Sequence, residues 1–151
     1  MIRKARLQDV KHIHSLIAEQ AHTGHLLPRA LSEIYSQLRD FSVDANEATG
    51  EILGCAALHI VWEDLAELRS LAVQTTQQGG GIGTRLLGTL LREAEEMGVR
   101  RVFVLTYRPS LFERAGFKQM DKSRLPHKIW ADCIKCTKFP DCDEIALVRN
   151  I

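Results

Sequence analysis

No stretch of this sequence is apolar for long enough to cross a bilayer. The longest, Ile52 to Trp62, is interrupted by His59 and is too short. The opening residues, MIRKARLQDV, also lack the apolar core of a secretory leader. These absences predict a cytoplasmic chain with no membrane partner. Charge of one sign is missing too, since 20 Lys and Arg against 19 Asp and Glu leave a net charge of +1. With no interleaving of aromatic and basic residues, nucleic acid is not an expected partner. Cysteine is sparse, at four residues. Without a secretion signal, four cysteines point to reduced thiols or a metal before a disulfide framework. Internal repeats, low-complexity tracts and linker-like segments are absent as well, which predicts one domain over residues 1–151. A chain of 151 residues with 45% hydrophobic and 26% charged side chains has the makings of a sizeable core.

What is present reads in order as a short strand at 2–6, then a helix opened by Gln8 or Asp9 with Val10, Ile13, Leu16, Ile17 and Ala21 at helical spacing. His12 and His14 lie off that stripe. Residues 22–28 break the helix, and Pro28 is placed to start a second one carrying Leu31, Ile34, Tyr35 and Leu38. The loop between them offers His25 and Arg29 as candidate site residues. Phe41 to Glu47 and Glu51 to Val61 read as a hairpin around Ala48-Thr49-Gly50, and Glu63-Asp64 turns the chain into a third strand, Leu65 to Val73. An antiparallel meander is expected there. Parallel pairing would enter only after a long helix, through the apolar run Arg101 to Tyr107. A short helix from Pro109 to Ala115, closed by Gly116, follows.

The stretch from Leu65 to Met97 organises the rest. It reads as strand, glycine loop and helix, with Ile82, Leu86, Leu87, Leu90, Leu91, Ala94 and Met97 on one face for burial against a sheet. Gly79, Gly80, Gly81 and Gly83 at a helix start leave backbone N–H groups bare where the helix dipole favours an anion, and a pyrophosphate fits. The alternative is a glycine-rich turn with no ligand. Gly83 is followed by Thr84 and Arg85, not by the Lys and Ser or Thr of a Walker loop, and the mid-chain position disfavours a dinucleotide fold.

The pattern that fits is Q/R-x-x-G-x-G/A, here Gln78-Gly79-Gly80-Gly81-Ile82-Gly83. With ELRSLAV before it and LFERAGF (Leu111 to Phe117) after it, the chain resembles the GCN5-related N-acetyltransferases. The resemblance implies a single α/β (α+β) domain with a mixed central sheet, splayed fourth and fifth strands and helices on both faces. It implies acetyl-CoA as co-substrate, with its pantetheine arm along Leu71, Ala72 and Val73. Its pyrophosphate would lie on Gln78, Gly79, Gly80, Gly81, Ile82, Gly83 and Thr84. Gln78 stands where many relatives carry Arg, so one ionic contact is lost there. The chemistry is direct attack of an uncharged amine on a thioester, for which Glu67 matches the base and Glu63 is the reserve; an oxyanion donor would stabilise the tetrahedral intermediate. Where many relatives place a Tyr as acid to the leaving thiolate, this chain has Phe112, leaving Tyr107 or Ser110 to serve, or the thiolate to leave unassisted.

Leu26 to Phe41, AELRSLAV and above all Leu125 to Leu147 resemble the short, stand-alone amino-acid N-acetyltransferases of bacterial arginine biosynthesis, the N-acetylglutamate synthase type. That implies L-glutamate as the acetyl acceptor. Arg29, Arg69, Arg108 and Lys128, with Arg124 in reserve, are the candidates to bind two carboxylates, because Arg forks suit carboxylates. Another amine acceptor (glutamine, a polyamine or a protein N-terminus) and a weakly catalytic CoA-binding sensor are the alternatives. A homodimer is among the assemblies left open. Cys133, Cys136 and Cys142 form C-x2-C-x5-C, which lacks a fourth zinc ligand unless Cys55, His127 or Asp143 joins it. A pair of reduced thiols or a Cys133–Cys136 disulfide are the other states open to it, and no metal is expected.

Overall fold

From Phe41 to Val73 the chain reverses direction twice as apolar residues fall on two buried faces. Strands β2 (Phe41–Ala45), β3 (Ile52–Trp62) and β4 (Leu65–Val73) form the expected antiparallel meander. The first reversal is an Asx turn in which Asn46 Oδ1 accepts the N–H groups of Ala48 and Thr49 at 2.9 and 3.2 Å. The computed structural model describes residues 1–125 and 144–151. Candidates Lys128, Cys133, Cys136 and Cys142, with His127 and Asp143, lie outside the described residues.

Among the described residues, seven strands make one mixed sheet in the order β1-β2-β3-β4-β5-β7-β6. β1 (Ile2–Lys4) pairs antiparallel with β2, and β5 (Arg101–Thr106) pairs parallel with β4. The sequence reading assigned neither β6 (Lys118–Met120) nor β7 (Ile145–Asn150). β7 enters between β5 and β6, antiparallel to both.

Helices cover both faces, as expected. α3 (Ile82–Glu96) buries Ile82, Leu86, Leu87, Leu90, Leu91 and Ala94 against Ala56, Leu58, Ala66, Leu68, Val102 and Val104. Its start lies hard against β3, because a Cβ on Gly54 would stand 2.9 Å from Ile82 Cγ2 and 3.1 Å from Leu86 Cδ1. On the other face, α1 (Val10–His22) and α2 (Leu31–Ser36) pack Val10, Ile13, Leu16, Ile17 and Ile34 onto Val43, Ala57 and Ala72. α4 (Pro109–Arg114) follows β5. No helix among the described residues is long and apolar enough to cross a membrane.

Three expectations need correction. Met97 is 59% exposed instead of completing the buried stripe of α3. It is the C-cap residue of a Schellman motif: Gly98 at φ +86° donates to Glu95 O at 3.1 Å, and Val99 donates to Ala94 O at 2.9 Å. The motif turns Met97 outward and puts Val99 into the core. Pro28 does not start the second helix, which begins at Leu31, where the Glu33 carboxylate accepts the Ala30 N–H at 3.2 Å. Tyr35 is 42% exposed, because so short a helix buries only Ile34.

Candidate active site

β4 and β5 part company midway. Their parallel register runs from Leu65 opposite Arg101 to Leu68 opposite Val104, and the rest of β4 has no partner on that side. The parting coincides with a bulge. On β3, Cys55 faces Ala72 while Ala57 faces Arg69, so Ser70 and Leu71 share one place in the ladder. Ser70 takes φ +56°, alone among the described non-glycine residues. In the wedge lies a crevice of about 30 Å³, lined by Leu26, Ser70, Leu71, Val104, Leu105 and Phe112. Phe112 is buried and packs edge-on to Phe117, ring centres 5.7 Å apart. It therefore fills the wedge as an apolar side chain. Because a β-branched residue resists positive φ, Ser70→Val is expected to lower unfolding free energy by about 1–3 kcal/mol. Ser70→Gly should be tolerated. Urea titration checks both, and a valine variant as stable as the parent would mean the bulge conformation is not required.

The glycine loop lies at the open end of that wedge, between β4 and α3. Gly79 and Gly81 take φ +87° and +84°, and Gly81 is the N-cap of α3. With glycine in that place and no acidic residue in the first turn, no side chain takes up the first N–H groups of a 15-residue helix. Gln78, Gly79, Gly80, Gly81 and Thr84 are exposed, whereas the Ile82 side chain is committed to the core. Gln78 Nε2 donates to Val73 O at 3.4 Å, and so does the buried Gln20 of α1 at 3.2 Å. Sequence reasoning missed Arg85. Its Nη1 donates to Gly80 O at 3.2 Å and its Nη2 lies 3.7 Å from Asp44, holding a cation beside the cradle that Gln78 cannot supply. Its place four residues after Gly81, one helical turn on, was the available signal.

On the face of the sheet opposite α3, polar groups gather along β3 and β4. The Glu67 side chain is 9% exposed, and its Oε1 accepts from Arg69 Nε at 2.6 Å. Arg69 and Arg29 line one crevice with Ser70, Gln37 and Phe41, so two of the candidate carboxylate binders do converge. Arg29 also lies 3.5 Å from Glu33. Arg108 does not join them. It meets the loop after α1, with Nη2 within 2.8 Å of the His25 ring, and its N–H donates to the buried Thr106 hydroxyl at 2.9 Å. Tyr107 is half-buried at the end of β5, Ser110 and Arg124 are exposed, and Glu63 is exposed in the β3–β4 turn. Burial pushes the Cys55 thiol up to about 12, so it stays protonated and is no acyl carrier. Among the described residues, no cluster of His, Cys, Asp and Glu is placed to hold a metal.

The sequence model of the Acetyltransferase (GNAT) family matches residues 7–117. Over 150 residues the chain is 39% identical to an uncharacterized N-acetyltransferase of Chlorobaculum tepidum, covering 99% of this chain and 96% of that one. It is 36% identical over 123 residues to the amino-acid acetyltransferase of Mycobacterium tuberculosis, covering 80% and 70%. The crystal structure of N-acetylglutamate synthase from Neisseria gonorrhoeae, complexed with coenzyme A and N-acetyl-glutamate, superposes with a TM-score of 0.89 at 30% identity, covering 99% of this chain and 34% of the other.

Proposed function

The chain belongs to the GNAT acetyltransferase family, and on that premise we propose that it acetylates the α-amine of L-glutamate. The observation that carries the acceptor is the convergence of Arg29 and Arg69 on one crevice beside Glu67. Two guanidinium groups suit an amino acid with two carboxylates, and the Glu67 carboxylate, paired with Arg69, suits its amine. The relatives named amino-acid acetyltransferase, and the synthase that shares the fold, support the same reading.

Acetyl-CoA supplies the thioester. Gly79, Gly80, Gly81, Gly83 and Thr84 would hold its pyrophosphate by main-chain N–H groups, with Arg85 adding charge at the rim. Ile82 and Ala72 would act only through their backbones, since their side chains are buried. Leu71 and Val73 would border the arm where β4 lacks a partner. Glu67 would take the ammonium proton on Oε2, its Oε1 being fixed by Arg69, and Tyr107 would donate to the leaving sulfur. Arg108 and Lys128 are kept as further acceptor-side candidates.

The test is release of free CoA from acetyl-CoA by purified protein with L-glutamate, L-glutamine, ornithine, spermidine or a short peptide. Saturable release with glutamate is the expected result. Release with another acceptor only would overturn the acceptor while leaving the acyl transfer, and binding of acetyl-CoA without turnover on any of the five would overturn the enzyme.

A further inference from the structure

Acetylation of an ammonium group liberates a proton. In R–NH3+ plus thioester giving amide plus thiol, an N–C bond forms and a C–S bond breaks. One N–H proton ends on sulfur, one stays on nitrogen and the third must reach water. If Glu67 is the base, the proton it accepts starts from a side chain only 9% exposed, with Arg69 on one oxygen. A buried acid that cannot shed its proton stops after one turnover.

The β3–β4 ladder provides a neighbour. His59 stands directly opposite Glu67, within a regular run of register from Ala57–Arg69 to Ile60–Ala66. Directly opposed residues present their side chains on the same face with Cβ atoms about 5 Å apart. The His59 ring is 31% exposed, and its Nδ1 lies 2.6 Å from Oδ2 of Asp40, itself 24% exposed, on the turn before β2. A carboxylate can only accept, so Nδ1 carries the hydrogen, and in the neutral ring Nε2 has the lone pair. Among the described residues, the charged groups on the two elements flanking His59 are Arg39 and Asp40 on that turn and Glu67 and Arg69 on β4. Burial falls along Glu67, His59 and solvent.

We propose that His59, its ring held by Asp40, relays the proton from Glu67 to water and so resets the base after each turnover. This rests on Glu67 being the base. Nε2 takes the proton from the Glu67 carboxyl, the resulting imidazolium is held by the Asp40 carboxylate at Nδ1, and Nε2–H then gives that proton to a solvent water, which restores the neutral ring. No other reactant is consumed. The role is distinct from binding either substrate, since it acts through Glu67.

The experiment compares steady-state kinetics of the parent with His59→Ala, His59→Gln, Asp40→Asn and Glu67→Gln, using the acceptor established by CoA release, with and without added imidazole. The expected result for His59→Ala is a kcat about tenfold or more below the parent, KM for both substrates within about twofold, and recovery of rate as imidazole is added. His59→Gln, which keeps a polar side chain opposite Asp40, should lose kcat alike and serves if the alanine variant does not fold. Asp40→Asn should fall between these and the parent. Glu67→Gln should be slow and unresponsive to imidazole. A His59 variant with parental kcat, or one slowed but indifferent to imidazole, overturns the relay. If Glu67→Gln turns over normally, the base assignment fails and the relay with it; if Glu67→Gln is slow while both His59 variants are normal, only the relay fails.

Discussion

Gly81→Val is expected to abolish measurable acetyl-CoA binding, raising Kd by about 100-fold or more, a loss of roughly 2.7 kcal/mol. Gly81 takes φ +84°, a region that β-branched side chains avoid at a cost of about 1–3 kcal/mol. The added Cβ would also stand 3.2 Å from Arg85 Nη1. The variant can keep the backbone and carry that strain, or relax to negative φ and swing the following N–H away from the anion. Either course weakens the cradle, and displacement of Arg85 removes the cation at its rim. The control is Gly88→Ala in the middle of α3, where a Cβ meets nothing within 4 Å and φ is not positive. That change should leave binding intact and stabilise the helix by about 1 kcal/mol. Calorimetric titration with acetyl-CoA separates the two, and parental affinity in the Gly81 variant would sink the loop assignment.

Legibility in the sequence follows how local each feature is. The α3 stripe from Ile82 to Ala94 could be read because a 3.6-residue period is repeated four times, and the error at Met97 came at the end of the element. There a cap conformation, not periodicity, decides which way a side chain points. The second helix was misplaced for a related reason. Pro28 is a permitted helix start, but the Glu33 carboxylate on the Ala30 N–H fixes the start at Leu31. β6 has three residues, Lys118–Met120, and no pattern of its own. It exists because β7 arrives from more than 20 residues away to pair with it.

The site divides in the same way. The glycine loop is contained in six consecutive residues, so a glycine turn at the start of a helix could be read there. The Glu67–Arg69 pair lies two residues apart on one strand face and was within reach. His59 with Asp40, 19 residues apart, and Arg108 with His25, 83 apart, depend on the fold bringing distant segments together. No spacing rule reaches them. Ser70 illustrates the remaining kind of miss: nothing in LRSLA announces that a serine will take positive φ, because the bulge is set by the register with β3.

Glu67→Gln is expected to lower turnover at neutral pH by about 100-fold or more, within the range attributed to a positioned base, while acetyl-CoA affinity stays close to the parent's. The substitution keeps the shape of the side chain and an oxygen that can accept from Arg69 Nε, so the 2.6 Å contact has a successor and the fold should survive. What the amide cannot do is take a proton. The Arg69 side chain, 7% exposed, then faces a neutral amide in place of the Glu67 carboxylate, and a melting point a few degrees lower is the expected side effect. The pH dependence distinguishes lost basicity from lost packing. As pH rises toward the acceptor amine's own pKa, water supplies an increasing fraction of free amine. The variant's rate should climb steeply there while the parent, which removes the proton itself, gains less. A variant slowed by the same factor at every pH would place Glu67 in binding or packing, and an unchanged rate would remove it from the mechanism.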